Sequence, residues 1–328
     1  MKDQLLLSIV IVNWNTRDDL VRCLESIEQT DTPEEREIIV VDNASYDGSC
    51  QVVRERFPRV ILIANIQNKG FAGGVNDGLR MSRGEYVLIL NPDIILTRRS
   101  VQMLIPHLQN RRDAGAIMPR LINPDGSTQG GYLRKFPGAL QVFFFATMLE
   151  SWSRAHPFLV NAFLESPLEN DKSLVEVEQI PGACLMTSRL VIDRVGMMEE
   201  DYWMFYEDVD WCYRLKENGY KLFMDCQTTV IHVGGQSFLN TAPTWKFGRF
   251  KLSLLLFFDR HKWSVESLFV KVILVVNSLI VFSMRSLLQL LPWSGRGTGA
   301  RASREKHLYF LRMVYWTYVN RKDILELK

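Results

Sequence analysis

Leu5-Leu6-Leu7-Ser8-Ile9-Val10-Ile11-Val12 runs almost wholly apolar and breaks at once into Asn13-Trp14-Asn15. The run is short and rich in β-branched residues, which suits a strand buried on both faces of a parallel sheet. No small-residue cleavage site follows it, so a strand rather than a signal peptide is expected. The pattern then repeats. Apolar runs recur at Glu37–Val41, Val60–Ala64, Glu85–Leu90 and Ala114–Met118. Between them lie segments with helical spacing: Thr16–Gln29, Ser45–Arg56, Ala72–Ser82 and Arg98–Gln109. In the first of these, Leu20, Cys23, Leu24 and Ile27 share one face. Strand–helix alternation predicts an α/β fold with an open, mostly parallel sheet and helices on both faces.

Ligands of such sheets bind at the carboxyl ends of the strands. Polar residues collect at those ends here: Asn13 and Asn15, Asp42-Asn43, Asn65 and Asn68, and Asn91-Pro92-Asp93. One such residue is ordinary turn chemistry; four sets together outline a polar rim. Order is weaker from 120 to 180, where Gly126, Gly130-Gly131, Pro137, Pro157 and Phe143-Phe144-Phe145 punctuate the chain. That stretch reads as an insertion, a lid or a membrane-facing surface. A strand then runs to Thr187, a short helix covers Arg189–Val195, and a further helix opens near Glu207 and ends at Gly219.

Composition narrows the function. With 328 residues, 47% hydrophobic, the chain is long enough for one large domain or a domain plus an appendage. A formal net charge of +2 lacks the basic excess of a nucleic-acid binder, so no nucleic-acid partner is expected. The five cysteines form no C-x-x-C pair. They read as buried small side chains of a reducing compartment rather than as a zinc site.

Three motifs carry chemistry. Asp93 ends the strand Tyr86–Leu90, where a carboxylate can hold a hard divalent cation that neutralises a diphosphate; an Asx-Pro turn explains the same residues without a ligand. Glu207-Asp208-x-Asp210 sets three carboxylates at a helix start, where the dipole favours negative charge. Their number, amid Met204, Phe205, Tyr206 and Trp211, exceeds what capping needs, and apolar surroundings raise a carboxylate toward a useful base. Arg214 can pair with Asp210 one turn on, leaving Asp208 for chemistry. His232, before Gly234-Gly235, reads equally as a third metal ligand or a structural histidine. Gly70-Phe71-Ala72-Gly73-Gly74-Val75-Asn76 is no standard phosphate loop; close approach to a ligand and tight helix entry fit it equally.

Taken in order, these segments form a recognisable series: Ser8–Asn15, Val41-Asp42-Asn43-Ala44-Ser45-Tyr46-Asp47-Gly48, Asn68–Asn76, Leu90-Asn91-Pro92-Asp93, Pro181-Gly182-Ala183, Glu207–Arg214 and His232–Ser237. The chain resembles the family 2 glycosyltransferases, in their bacterial rhamnosyltransferase-like branch, over roughly residues 5–240. The resemblance implies a GT-A-type nucleotide-sugar fold, an inverting mechanism and a divalent metal, Mg2+ or Mn2+. By the same analogy Asp208 is the catalytic base, and Asp93 with His232 holds the metal. Asp42 contacts the base or ribose of the donor, with Asn13, Asn15, Asn68, Gly73, Asn76 and Asn91 also on the donor side. Gly182, Ala183 and Glu207 lie at the acceptor. The family's first metal-motif acid is Asn91 here, and an amide oxygen ligates less strongly than a carboxylate. Branch resemblance alone makes dTDP-rhamnose the expected donor and a growing surface polysaccharide or lipid-linked glycan the acceptor. A non-catalytic nucleotide-sugar-binding scaffold is the alternative. A nucleotidyltransferase fits poorly, because Asn13-Trp14-Asn15-Thr16-Arg17 stands where its glycine-rich loop would be.

The division expected is a transferase domain over 1–245 and a helical segment over 246–328. Within the latter, Leu268–Leu291 is the longest apolar stretch, interrupted by Lys271, Asn277, Ser278, Arg285 and Gln289. Its uncharged core, Val272–Met284, spans only about 20 Å as a helix, short of the ~30 Å of a bilayer core. Lys271, Ser278, Arg285 and Gln289 fall on one side, which predicts an amphipathic helix ending at Pro292 and lying on a membrane or packed on the domain. Arg296, Arg301, Arg304 and Lys306, then Tyr309-Phe310, Tyr315-Trp316 and Tyr318, suit an anionic cytoplasmic leaflet. The expectation is a cytoplasmic protein, peripheral on the inner face of the cell membrane. A helical pair that covers the sheet or forms a homodimer is the alternative.

Overall fold

The computed structural model describes residues 5–31, 33, 35–130, 135–146, 173–234, 243–288 and 298–315. Most of the expected insertion (147–172), Gly131, Gly235–Ser237, Gln289, Pro292, Arg296, Trp316 and Tyr318 lie outside the described residues. By compactness the chain divides into two units. The first takes the described residues within Met1–Phe136, Leu164–Trp203 and Glu207–Leu239; the second takes those within Pro137–Phe163, Met204–Tyr206 and Asn240–Lys328.

The first unit is an α/β sheet. Its strands are β1 (Leu7–Asn13), β2 (Arg36–Asp42), β3 (Ile61–Ala64), β4 (Tyr86–Leu90), β5 (Ile94–Leu96), β6 (Ala114–Ile122), β7 (Leu174–Val177), β8 (Cys184–Ser188) and β9 (Lys221–His232). Helices α1 (Arg17–Gln29), α2 (Ser49–Arg56), α3 (Gly70–Met81), α4 (Ser100–Gln109), α6 (Arg189–Val195) and α7 (Glu207–Glu217) intervene; α5 (Ala139–Ala146) belongs to the second unit. The strand order is β3-β2-β1-β4-β8-β6-β9-β5, with β7 also on β9. Strands β3, β2, β1 and β4 are mutually parallel, as the alternation predicts. β8 enters antiparallel between β4 and β6, and β6 and β9 are again parallel.

All seven residues of β1 are buried, because neighbours flank it on both edges and helices cover both faces. Right-handed crossovers put α1 and α2 on one face and α3 on the other. The order reverses beside β1: the chain builds outward through β2 and β3, then returns to lay β4 on the opposite edge of β1. That reversal opens a crevice at the carboxyl ends of β1 and β4, the usual ligand site of open α/β sheets. The glycines of α3 serve this packing. A Cβ on Gly74 would meet Val12 Cγ1 at 2.6 Å, and one on Gly78 would meet Val10 Cγ1 at 2.3 Å. Helix α3 therefore lies flat on β1, which favours tight helix packing over a phosphate cradle for those two positions.

The opposite end of the sheet is pinned by Glu37, buried at the start of β2. It accepts from Ser8 Oγ at 2.7 Å and Arg83 N at 2.6 Å, and pairs with the Arg83 guanidinium at 3.2 Å. The buried carboxylate thus has the partners that burial demands.

The second unit contains α5, α8 (Pro243–His261), α9 (Ser264–Leu288) and α10 (Thr298–Val314). Leu252, Leu255, Phe257, Phe258, Val270, Leu274 and Phe310 form its core. Two cations are buried within it. Lys251 donates to Ser278 Oγ at 3.3 Å and faces the Phe247 and Phe310 rings, while Arg249 stacks over Trp245.

Candidate active site

Backbone pairing assembles the site. Asn91 N, just past β4, donates to Ala183 O at 2.9 Å, so Pro181-Gly182-Ala183 runs beside Asn91-Pro92-Asp93. One residue earlier, Gly182 N donates to Asp208 Oδ2 at 2.9 Å. Asp208 Oδ1 accepts from Val209 N at 2.8 Å in the first turn of α7. Both oxygens of this half-buried carboxylate are therefore oriented by backbone donors. A Cβ at Gly182 would lie 2.7 Å from the Phe71 ring, so only glycine lets its N–H reach Asp208 beneath that ring.

Phe71 is fixed in turn. Its N–H donates to Trp203 O at 3.0 Å, and Gly70, at φ +75°, holds its α-carbon against the same carbonyl. Asn43 Nδ2 donates to Gly70 O at 2.8 Å, tying the entry of α3 to the end of β2.

In α7, Arg214 donates to Asp210 Oδ2 at 2.9 Å, as the i,i+4 spacing predicts, and to Val195 O and Met197 O. Glu207 is enclosed, and its Oε2 is buried without a hydrogen-bond partner. Burial, and secondarily the charge of Asp208, push the Glu207 carboxyl well above the usual carboxylate range. The structure thus sets a carboxyl raised by burial next to an oriented carboxylate, the kind of divergence that separates roles in paired carboxyls.

Asp93 and His232 come together because β5 pairs antiparallel with the end of β9, in register Ile94 with His232. Val233 N donates to Asp93 O at 3.0 Å and closes the pairing. His232 Nδ1 lies 2.7 Å from Gln129 Oε1. Gln129 Nε2 donates to Asn123 Oδ1 at 3.4 Å, which turns the amide oxygen toward the imidazole. Nδ1 is thus held by Gln129, and Nε2 lies 3.5 Å from Asp93 Oδ1. That oxygen is buried and accepts no hydrogen bond. A carboxylate oxygen and an imidazole nitrogen at that separation can share a cation. Among the described residues no cluster of three or more His, Cys, Asp or Glu side chains forms. Two protein ligands suit Mg2+ or Mn2+, which leave their other positions to phosphate and water. The donor set fits such an ion.

The donor-side residues are bound into the rim itself. Asn13 is fully buried: its amide donates to Asp42 Oδ2 at 2.9 Å and its carbonyl accepts from Thr16 at 2.8 Å. Asp42 also caps Ser45 N at 2.8 Å. Asn15, at φ 53°, accepts from Tyr46 N at 2.9 Å, and Asn68 closes a turn onto Gly70 N at 2.8 Å. Asn76 is also buried and holds Met198 through both its amide and its carbonyl. Gly73 packs against Lys69 Cβ. Of the donor set, the side chains of Asn13, Asn15, Asn68 and Asn76 shape the loops of the rim. Gln129 and Phe71 are the parts that motif reading missed. Gln129 stands 103 positions from His232 and carries no local signal.

Residues 8–167 match the family described as Glycosyl transferase family 2. The N-acetylglucosaminyl-diphospho-decaprenol L-rhamnosyltransferase of Mycobacterium tuberculosis is 27% identical over 305 residues, covering 87% of this chain and 97% of the relative. The rhamnosyltransferase WbbL of Escherichia coli is 25% identical, covering 72% of this chain and 88% of its own length. Among solved structures, the mannosyltransferase PcManGT from Pyrobaculum calidifontis, in complex with GDP-Man and Mn2+, superposes with a TM-score of 0.55 at 15% identity. That match covers 96% of this chain and 88% of that one. TarS residues 1–349 from S. aureus gives 0.51 at 14% identity, over 97% and 92%. These structural likenesses agree with the fold that the motif series implies.

Proposed function

We propose that this chain, a glycosyltransferase of family 2, moves a sugar from a nucleoside diphosphate to a hydroxyl of a lipid-linked or polysaccharide acceptor, inverting the anomeric centre. L-Rhamnose is the preferred sugar, because relatives aligned over most of the chain are named rhamnosyltransferases. A lipid-linked acceptor follows the name of the mycobacterial relative. The reading places the enzyme on the cytoplasmic face of the membrane.

One observation carries it: the Asn91–Ala183 and Gly182–Asp208 bonds tie an oriented carboxylate to the strand end that bears Asp93. In this reading Asp208 takes the proton of the acceptor hydroxyl as its oxygen bonds to the anomeric carbon. The bond from that carbon to the diphosphate oxygen breaks on the opposite face, and the nucleoside diphosphate leaves with the electron pair. Asp93 and His232 would hold a divalent cation, which when bound supplies neutralising charge to the leaving diphosphate. Gly182 N–H keeps Asp208 aimed, and burial favours the uncharged form of the Glu207 carboxyl beside it.

Asp208→Asn keeps the shape of the carboxylate and removes its basicity. Transfer should fall by about 10²–10⁴-fold with nucleotide-sugar binding nearly intact. Near-wild-type turnover would refute the base assignment. A panel of nucleotide-sugars, scored by calorimetric binding and slow hydrolysis with and without Mn2+, tests the whole reading. Binding without any turnover would favour the scaffold alternative, and no response to any donor would sink both.

A further inference from the structure

The helix α9 is turned inside out relative to a helix of a soluble core. Its buried positions are Ser267, Val270, Leu274 and Ser278. Ser267 donates to Asp259, Lys271 pairs with Asp259, Ser278 accepts from Lys251, and Asn277 donates to Ala146 O. The polar stripe that the sequence places along one side, Lys271 and Ser278 in particular, is used internally. The exposed positions are the opposite face: Val265, Leu268, Phe269, Val272, Val276, Leu279, Ile280, Met284 and Leu287. At 100° per residue they form one continuous stripe about 33 Å long. Among the described side chains from Ser264 to Leu287, Ser264 and Ser283 are the exposed polar residues and no charged one is exposed.

We infer that this stripe of α9 inserts into the acyl region of a single leaflet of an anionic bilayer, with the helix lying in the membrane plane. The inference rests on the membrane contact proposed above and specifies the surface that makes it. Three observations select this occupant. A monomeric protein rarely leaves so long an apolar stripe in water. The stripe is flanked by headgroup chemistry: Arg260, Lys262 and Trp263 precede it, Trp263 being 85% exposed, and the sequence over 288–306 carries Arg296, Arg301, Arg304 and Lys306 against a single acid, Glu305. Basic and aromatic ends complement anionic headgroups, whereas a second copy presents the same positive ends. Finally, Ser264–Met284 is long and apolar enough to cross a bilayer by length and composition, but the exposed residues of the neighbouring α10 include Glu305 and Arg312. A returning helix with those charges outward does not suit a spanning hairpin, so the in-plane placement is the one that fits.

The test is flotation of the full chain with phosphatidylethanolamine–phosphatidylglycerol vesicles, at low and high salt, for the wild type and for Val272→Asp with Val276→Asp. Both sites are exposed, so thermal melting should change little. The wild type should float and stay afloat at high salt. The double variant should lose about a hundredfold or more in vesicle affinity. On the unaltered chain, brominated lipid should quench the part of the fluorescence that Trp263→Phe removes. A double variant that floats like the wild type would overturn the inference. So would a wild type that stays with the soluble fraction as a dimer which the variant splits. Donor hydrolysis, read on the same samples, decides the transferase reading separately.

Discussion

At the residue scale the two acidic centres differ in what makes them legible. Asp93 and Asp208 each sit in a short segment whose neighbours point to the proposed role: a strand that ends in Asn-Pro-Asp, and a helix that begins with three carboxylates. Their supports do not announce themselves. The Asp208 carboxylate is aimed by Gly182 N–H, and the imidazole of His232 by Gln129, through bonds that only the folded sheet can make. For the same reason, sequence could not tell that Asn13 and Asn76 tie loops of the rim through internal hydrogen bonds. Gln129 gives the sharpest test, because it touches neither metal nor substrate in the proposed mechanism. Gln129→Ala removes the partner of His232 Nδ1 and frees the ring to turn. Mn2+ affinity should drop by about 10–100-fold, with hydrolysis of the donor recovering toward wild type at saturating Mn2+. The measurement is the half-saturating Mn2+ concentration; an unchanged value would remove His232 from the metal site.

Among the elements, the strand–helix alternation of the first 120 residues is readable because each strand is long enough to show its β-branched run and each helix its stripe. Strand β5 is not: three residues after a proline carry no period, yet β5 brings Asp93 to His232. The amphipathic character of α9 is readable too, but not which side faces the protein. Sequence shows a polar stripe, and solvent would ordinarily claim it. Here α8 claims it, since Lys251 is buried against Ser278. Burial pulls the Lys251 ammonium down from its usual value of 10.5 to about 8. Between those values the unfolded chain binds more protons than the folded one, so stability rises with pH across the window; below about 8 the charge is buried at full cost. A shift of that size is worth about 3 kcal/mol, offset by about 0.5–2 kcal/mol of attraction to the Phe247 and Phe310 rings. Lys251→Met should therefore stabilise the chain by about 1–2 kcal/mol at neutral pH. It should also flatten the rise between pH 8 and 10.5. Urea unfolding at neutral and alkaline pH reads both, and parallel pH curves for the two proteins would show that Lys251 is not the group responsible.

For the whole molecule, fold class was legible and strand order was not. Parallel β3-β2-β1-β4 follows from chain order and right-handed crossovers, but nothing local says that β8 enters antiparallel beside β4, or that β9 returns to β6. Those long-range pairings deliver Gly182 and His232 to strand ends set down more than 80 residues earlier. A site built from such distant segments should be coupled to the stability of the sheet that gathers it. A ligand that binds only the folded state stabilises it by about 2.7 kcal/mol at a hundred times its dissociation constant. For a chain of this size that is a rise of roughly 4 °C in melting temperature. Nucleoside diphosphate with Mn2+ should give that rise, and either alone should give much less, because Asp93 and His232 offer the cation only part of its shell. Asp93→Asn keeps the shape of the side chain and the Val233 N–H bond to its backbone carbonyl while weakening the cation's grip. Its own melting temperature should stay close to wild type, and the additional rise on adding Mn2+ to the nucleotide should vanish. If Asp93→Asn kept the full Mn2+-dependent rise, the cation would be held elsewhere, and the buried, unbonded Oδ1 would need another explanation.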